Sequence, residues 1–336
     1  MLGGAWRAVR FAVSWAVLVA LAALVTAHVV QDRVWWMAYA AFCPLWMIGV
    51  PAVAWDLLRR GRSLPLRWLL LCLGLATTLL GVSATWGPRL APEPFGEDWG
   101  EVRVLHWNTQ WGGLGGQTTL RAAVGEIQRR GVDVVLLSEM PPPQWFWHEW
   151  KQSSTGGLDW LTTVGMGPGG THWFRFGLIS RWPAIKREEW ALPGGWAALF
   201  EIDVPRESGA PPMRLLAVDV ESSPRVHRAP ALRRTGEVVE ALFRRGTPVD
   251  VIAGDFNAPY RAWGFEAVAD AGPGYRRAAL WSGQRRATWP TRFPLIDIDH
   301  VLVRRGIAIQ GAEVFSSRAS DHLGQTATLR AAAWRR

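Results

Sequence analysis

The sequence predicts an α/β domain carried behind three membrane-spanning helices, and three observations lead to it. Three uncharged apolar runs lie within residues 1–87, a proline-rich stretch follows them, and the remaining chain alternates short strand-like segments with two segments of helical spacing.

The runs are Phe11–Val30, Val34–Trp55 and Trp68–Gly87, each 20 to 22 residues long. About 20 helical residues cross a hydrocarbon core of roughly 30 Å, so each run is long enough to span. Trp35, Trp36, Trp55, Trp68 and Trp86 stand near the run ends, where indoles favour the bilayer interface. Arg7 and Arg10 precede the first run and Arg59, Arg60, Arg62 and Arg67 separate the second from the third, whereas the first connection holds only Arg33. The positive-inside bias then places the N-terminus and second connection in the cytoplasm and everything after residue 87 outside it.

Charge follows the same division. The net charge is +9, of which residues 1–87 contribute 7 basic minus 2 acidic, or +5, leaving +4 for residues 88–336. The basic balance therefore reflects membrane topology and argues only weakly for nucleic-acid binding. Cys43 and Cys72 both fall inside apolar runs, which excludes disulfides, thiolate metal sites and cysteine nucleophiles from the rest of the chain.

Residues 88–100 carry three prolines and no apolar periodicity and read as a linker. Residues 101–336 are long enough for one sizeable domain. Strand-like content marks 102–107, 132–137, 177–180, 197–204, 214–220, 249–253, 298–303 and 326–329, and helical spacing marks 118–130 and 228–245. Residues 141–175, rich in Gly, Pro and Trp, read as a long surface excursion. Trp145, Trp147, Trp150 and Trp196 suit stacking on bases, contact with lipid headgroups, or plain packing.

Chemistry is suggested by VIAGDFNAP at 251–259, an apolar strand that runs into Asp255 and Asn257 on a glycine turn. Asp and Asn are also ordinary turn residues, so the segment alone does not decide. The pattern of a polar side chain at a strand end recurs at Asn108 in VLHWNTQW, Glu139 in VVLLSEM, Asp299 in DIDHVLV and Asp321-His322 in ASDHLG.

In this order the set resembles the endonuclease/exonuclease/phosphatase superfamily, the deoxyribonuclease I-like fold, over residues 101–331. GDFN (254–257) and SDH (320–322) carry the resemblance, supported by WN (107–108), Glu139, GLISRWP (177–183) and IDHVLV (298–303). It implies a four-layer α/β sandwich of two packed β-sheets and hydrolysis of phosphodiesters. It further implies Glu139, Asn108 and Asp321 around Mg²⁺ or Mn²⁺, Asp255 acting on the attacking water, Asn257 donating to a phosphate oxygen, and His322 paired with Asp299. Such oxygen ligands suit a hard cation, and the remaining groups supply a positioned water and a donor to developing charge.

One position departs from the family pattern. Where many members carry a histidine at a strand end, LLAVDVESSP places Asp219. A neutral Asp219 serves as the acid if burial or Glu221 raises its pKa; otherwise it is a further metal ligand, or the site is slow. His227 reads as a loop histidine and His106 as a packed core histidine. GGLGG at 112–116 lacks a following Gly-Lys-Ser/Thr and is no P-loop, and neither a Gly-x-Ser-x-Gly elbow nor His-Glu-x-x-His occurs. The expectation is a membrane-anchored, metal-dependent phosphodiesterase acting on nucleic acid, with a phospholipid substrate or a non-catalytic phosphate sensor as alternatives. Oligomeric state is not legible.

Overall fold

The computed structural model describes the chain apart from residues 1, 34–36, 59–66, 111–116, 154–157, 167–173, 207–208, 224, 284–285 and 335–336. The GGLGG turn, Trp35, Trp36, Arg59, Arg60 and Arg62 therefore lie outside the described residues. Two compact units are resolved, Met1–Gly87 and Pro88–Arg336.

The first unit holds helices α1 (Leu2–Val30), α2 (Ala38–Phe42), α3 (Trp46–Leu58) and α4 (Arg67–Thr85). Among the described residues only Ala5–Val30 and Trp68–Thr85 are long and apolar enough to cross a membrane, Trp46–Leu58 being a shorter apolar helix. The expected continuous span over 34–55 is thereby corrected. Its break has a local cause: Pro44 disfavours helical geometry at the residue before it, and Cys43 is extended at ψ 126°. Gly49 lets α3 close on α4, since a Cβ there would meet Thr77 and Thr78.

In the second unit, strands β1 (Gly100–Asn108), β2 (Val134–Met140), β3 (Trp160–Met166), β4 (Phe174–Ser180), β11 (Ala308–Phe315) and β12 (Gly324–Ala331) form one sheet. Its order is β11-β12-β1-β2-β4-β3. The other sheet contains β5 (Ala184–Leu192), β6 (Gly195–Ile202), β7 (Met213–Val220), β8 (Val251–Asp255), β9 (Tyr275–Arg277) and β10 (Asp299–Arg304), in the order β5-β6-β7-β8-β10-β9.

The strand period of two sorts these side chains between layers. Val102 and Val104 of β1, Leu215 and Ala217 of β7, Val251 and Ala253 of β8, and Val301 and Val303 of β10 fill one core between the sheets. Leu105 and Trp107 point the other way and pack under helices α5 (Gln117–Arg129) and α6 (Pro143–Ser153) through Leu120, Val124, Ile127 and Phe146. On the second sheet α7 (Arg228–Arg244) contacts β7 and β5 and packs on α8 (Phe265–Ala269). The four layers are those of the deoxyribonuclease I-like sandwich.

Three expectations change here. The excursion at 141–175 contains α6 and β3, and Trp150 is buried against Phe146 with ring centroids 5.7 Å apart. Residues 88–100 do not hang free: Leu90 N donates to Leu280 O, Glu93 N to Ile309 O, and the Glu93 carboxylate pairs with Arg276. β5, reading AIKREEWAL, is an exposed edge strand with a bulge between Lys186 and Glu188, so its charges hide its strand character from a hydrophobic pattern.

Two buried histidines make this unit acid-sensitive. His300 packs against Phe256, Phe265 and Tyr260 and donates Nε2–H to Ala258 O at 2.9 Å. Burial lowers both His300 and His106 to about 4. The unfolded chain takes up protons near pH 6.5 that the folded chain refuses. The stability these two groups contribute is therefore full above pH 6.5 and falls as pH drops towards 4, by about 3 kcal/mol per histidine. His300→Gln, which keeps a donor for Ala258, is expected to halve that pH slope in urea titrations between pH 7 and 4.5; an unchanged slope counts against the assignment.

Candidate active site

Asp219, Asp255 and Asp299 each close an inward-facing alternation that is apolar up to that point, so the core ends in carboxylates. Register aligns them in one row: Trp196 pairs with Asp219, Asp219 with Asp255, and Asp255 with Asp299. Gly254 makes this row possible. It has φ 154°, and a Cβ there would collide with the Val218 carbonyl of the neighbouring parallel strand.

The first sheet faces the row with Asn108, opposite Ser138 on β2, and with Glu139 one residue beyond. The turn between β11 and β12 supplies Ser320, Asp321 and His322. Ser320 fastens that turn by donating Oγ–H to Asn108 O at 2.7 Å and accepting from His322 N at 3.0 Å. Trp107 Nε1 donates to His322 O at 3.0 Å, and Trp289 Nε1 to an Asp321 carboxylate oxygen at 3.2 Å.

Every residue expected at the site is brought to this end of the sandwich. His322 Nδ1 donates to Asp299 Oδ2 at 2.9 Å and stands 3.9 Å from Asp255 Oδ2. Asn108 Nδ2 donates to Asp255 Oδ2 at 2.9 Å, while Asn257 N donates to Asp255 Oδ1 at 2.8 Å. Asn257 commits one side-chain N–H to Val220 O at 2.7 Å, leaving a second N–H for a ligand. Glu139, Asn257 and Gln110 adopt positive φ of 49°, 46° and 46°, an uncommon geometry for non-glycine residues that clusters here.

Burial and mutual charge set the protonation states. Burial opposes a charge on His322, but Asp299, Asp255 and Asp321 outweigh it and raise the imidazole to about 10. Asp299 is held below the usual carboxylate range because His322 overrides its burial. Asp255 goes the other way, pushed well up by burial and by Asp299. Glu139 is raised by burial against the hydrogen bond it receives from Asn108. Asp219 is raised to about 7 by burial and the Glu139 charge, opposed by Arg175.

Ligand atoms of Asp255, Asp299 and His322 lie within 4.8 Å of one another, a spacing that could hold a metal ion. Their internal bonding weighs against it, since a protonated imidazole already bonded to a carboxylate has no lone pair to offer. Glu139 and Asp321 fit a hard cation better. Asp321 Oδ1 is buried without a hydrogen-bond partner among the described residues, and Glu139 is a carboxylate drawn into a low-dielectric position.

Some contacts at the site were not legible from the sequence. His106, read as a core histidine, is fully buried, bonds Ser138 Oγ at 3.0 Å and lies 4.0 Å behind Asp299. Ser320 and Trp289 carry no motif that would single them out. Arg175 donates Nη1–H to Asp219 Oδ2 at 2.9 Å, a contact between residues on different sheets. His227 precedes α7 and is outside this constellation.

A model of the Endonuclease/Exonuclease/phosphatase family matches residues 105–322, well over half of the chain. Among solved structures, an endonuclease/exonuclease/phosphatase family protein from Bacteroides thetaiotaomicron aligns with a TM-score of 0.55 at 12% identity, covering 69% of this chain and 98% of its own. A mannosyl-6-phosphatase from the same species gives 0.55 at 13% identity, with 68% and 99% covered. The human Nocturnin catalytic domain with bound sulfate gives 0.51 at 15% identity, with 68% and 94% covered. At these identities the likeness shows the fold. No curated protein matches the chain.

Proposed function

Because the chain belongs to the endonuclease/exonuclease/phosphatase family, we propose that it is a metal-dependent phosphodiesterase that cuts nucleic acid from a membrane anchor. The observation that carries the reading is the Asp255–His322–Asp299 constellation, which sets a proton-hungry carboxylate beside an imidazolium fixed by a second carboxylate.

Asp255 takes the proton of the attacking water, a role suited to its raised proton affinity, while Asn108 and the Asn257 backbone fix its plane. His322 uses Nδ1–H on Asp299 and so directs Nε2–H at a phosphoryl oxygen, where its charge stabilises the transition state. Asn257 adds its second side-chain N–H. Glu139 and Asp321 would hold Mg²⁺ or Mn²⁺, with Asn108 bracing Glu139. Such an ion, when bound, offsets charge on the non-bridging oxygens.

A groove of about 1670 Å³ beside Asp321 and Gln110, lined in part by Arg292, Arg318 and Phe293, supports a polyanionic chain as substrate. The purified protein is expected to nick plasmid DNA with Mg²⁺ and lose that activity in EDTA, with DNA affinity falling steeply as salt rises. Equal affinity at low and high salt would count against nucleic acid. Exposed Trp145 and Trp196 favour a second reading, a phospholipid phosphodiester, which predicts cleavage on vesicles and none of plasmid.

The apolar helices over Ala5–Val30 and Trp68–Thr85 would supply the anchor. Keeping both arginine clusters in the cytoplasm requires α2 and α3 together to complete a crossing as a broken helix, which puts Pro88–Arg336 outside the cytoplasm. Protease added to intact cells should then degrade that unit; protection would place it inside.

A further inference from the structure

The pair formed by Arg175 and Asp219 has no part in the scheme above. Arg175 stands on β4 between Phe174 and Phe176, which pair with Met140 and Ser138 of β2, so it lies across from Glu139. Its side chain reaches over to the other sheet, where Nη1 donates to Asp219 Oδ2 at 2.9 Å and the guanidinium carbon sits 5.6 Å from the centre of the Trp196 ring. Trp196, Asp219 and Asp255 are consecutive members of one register row, which puts the guanidinium at the site itself.

Asp219 is 7% exposed and Arg175 24%, so the carboxylate is enclosed and the guanidinium opens towards solvent. A buried ion pair seldom adds stability over apolar packing, and a purely structural origin for it here is a poor bargain. One guanidinium N–H is satisfied by Asp219, and the positive carbon stands over the Trp196 ring. Its other N–H groups have no protein acceptor among the described residues. A planar fork held on one side and open on the other suits a phosphate oxygen, which two parallel N–H groups can grip.

Resting on the phosphodiesterase reading, we propose that Arg175 is a substrate-contacting residue that binds a non-bridging phosphate oxygen, with Asp219 and Trp196 as the positioning residues that aim it. Asp219 then replaces the histidine of other members indirectly, by anchoring a permanent cation. In that arrangement Asp219 acts through the guanidinium that its Oδ2 holds at 2.9 Å and passes no proton to the leaving group.

The test uses the full chain in detergent with Mg²⁺, reading bis(p-nitrophenyl) phosphate hydrolysis and the calorimetric affinity for inorganic phosphate. Arg175→Met keeps an unbranched side chain without the charge and is expected to lower kcat/KM by about 100-fold and to weaken phosphate binding, with added guanidinium restoring part of both. Arg175→Lys should retain an intermediate level and guards against misfolding. Asp219→Asn should lose less than Arg175→Met, equally for good and poor leaving groups, and the double variant should match Arg175→Met alone. Unchanged phosphate affinity and turnover in Arg175→Met would overturn the proposal. So would an Asp219→Asn defect confined to poor leaving groups, the signature of a general acid. If the wild type binds phosphate through Arg175 but hydrolyses no ester, the contact stands and the phosphodiesterase reading falls; if it neither binds nor hydrolyses, both fall.

Discussion

Asp255→Asn is expected to reduce kcat by roughly 10²–10⁴-fold, the usual contribution of a positioned general base, while thermal stability changes little. Asp255 is enclosed, repelled by Asp299 and Asp219, and bonded by Asn108 and the Asn257 backbone. An amide relieves the repulsion from Asp299 and Asp219 and keeps an oxygen for Asn257 N but withdraws the acceptor that Oδ2 gives Asn108 Nδ2, so the fold loses a repulsion and one hydrogen bond as the reaction loses its base. Activity and melting temperature measured on one preparation check both halves. A variant that melts much earlier would mean that Asp255 serves chiefly as a structural acceptor.

His322→Ala is expected to cost more, because it removes the imidazolium and also strands Asp299. The Asp299 side chain is fully buried, and its Oδ2 accepts from His322 Nδ1. Breaking a buried pair from one side costs about 3–5 kcal/mol, since the surviving charge has no partner. His322→Ala combined with Asp299→Asn should recover most of that stability without recovering turnover. Urea unfolding of the single and double variants measures the first, and hydrolysis the second. Equal stability in the two would mean that Asp299 is compensated elsewhere, by the Thr288 hydroxyl or by His106 at 4.0 Å.

The site was legible where chemistry sits at the end of a strong local pattern. Val251, Ile252 and Ala253 announce a buried strand, and the period of two carries directly into Asp255; the same holds from Val301 back to Asp299 and from Leu215 to Asp219. What escaped depends on partners distant in the chain or on single breaks in a pattern. Arg175 and Asp219 meet across two sheets, and nothing around either residue encodes the other. Pro44 breaks an apolar run whose hydropathy alone reads as continuous. α6 and β3 hide in a stretch whose glycines and prolines suggested irregular chain, although Phe146 and Trp150 have the i, i+4 spacing of a buried helix face.

The most direct test of the central claim is the rate of bis(p-nitrophenyl) phosphate hydrolysis by the purified full-length protein with Mg²⁺ or Mn²⁺, set beside EDTA and Glu139→Gln. Hydrolysis that requires the ion and falls by orders of magnitude in Glu139→Gln is the predicted result. A folded protein that binds Mg²⁺ or Mn²⁺ yet leaves the ester intact would contradict the account and identify a phosphate-binding protein built on the same sandwich.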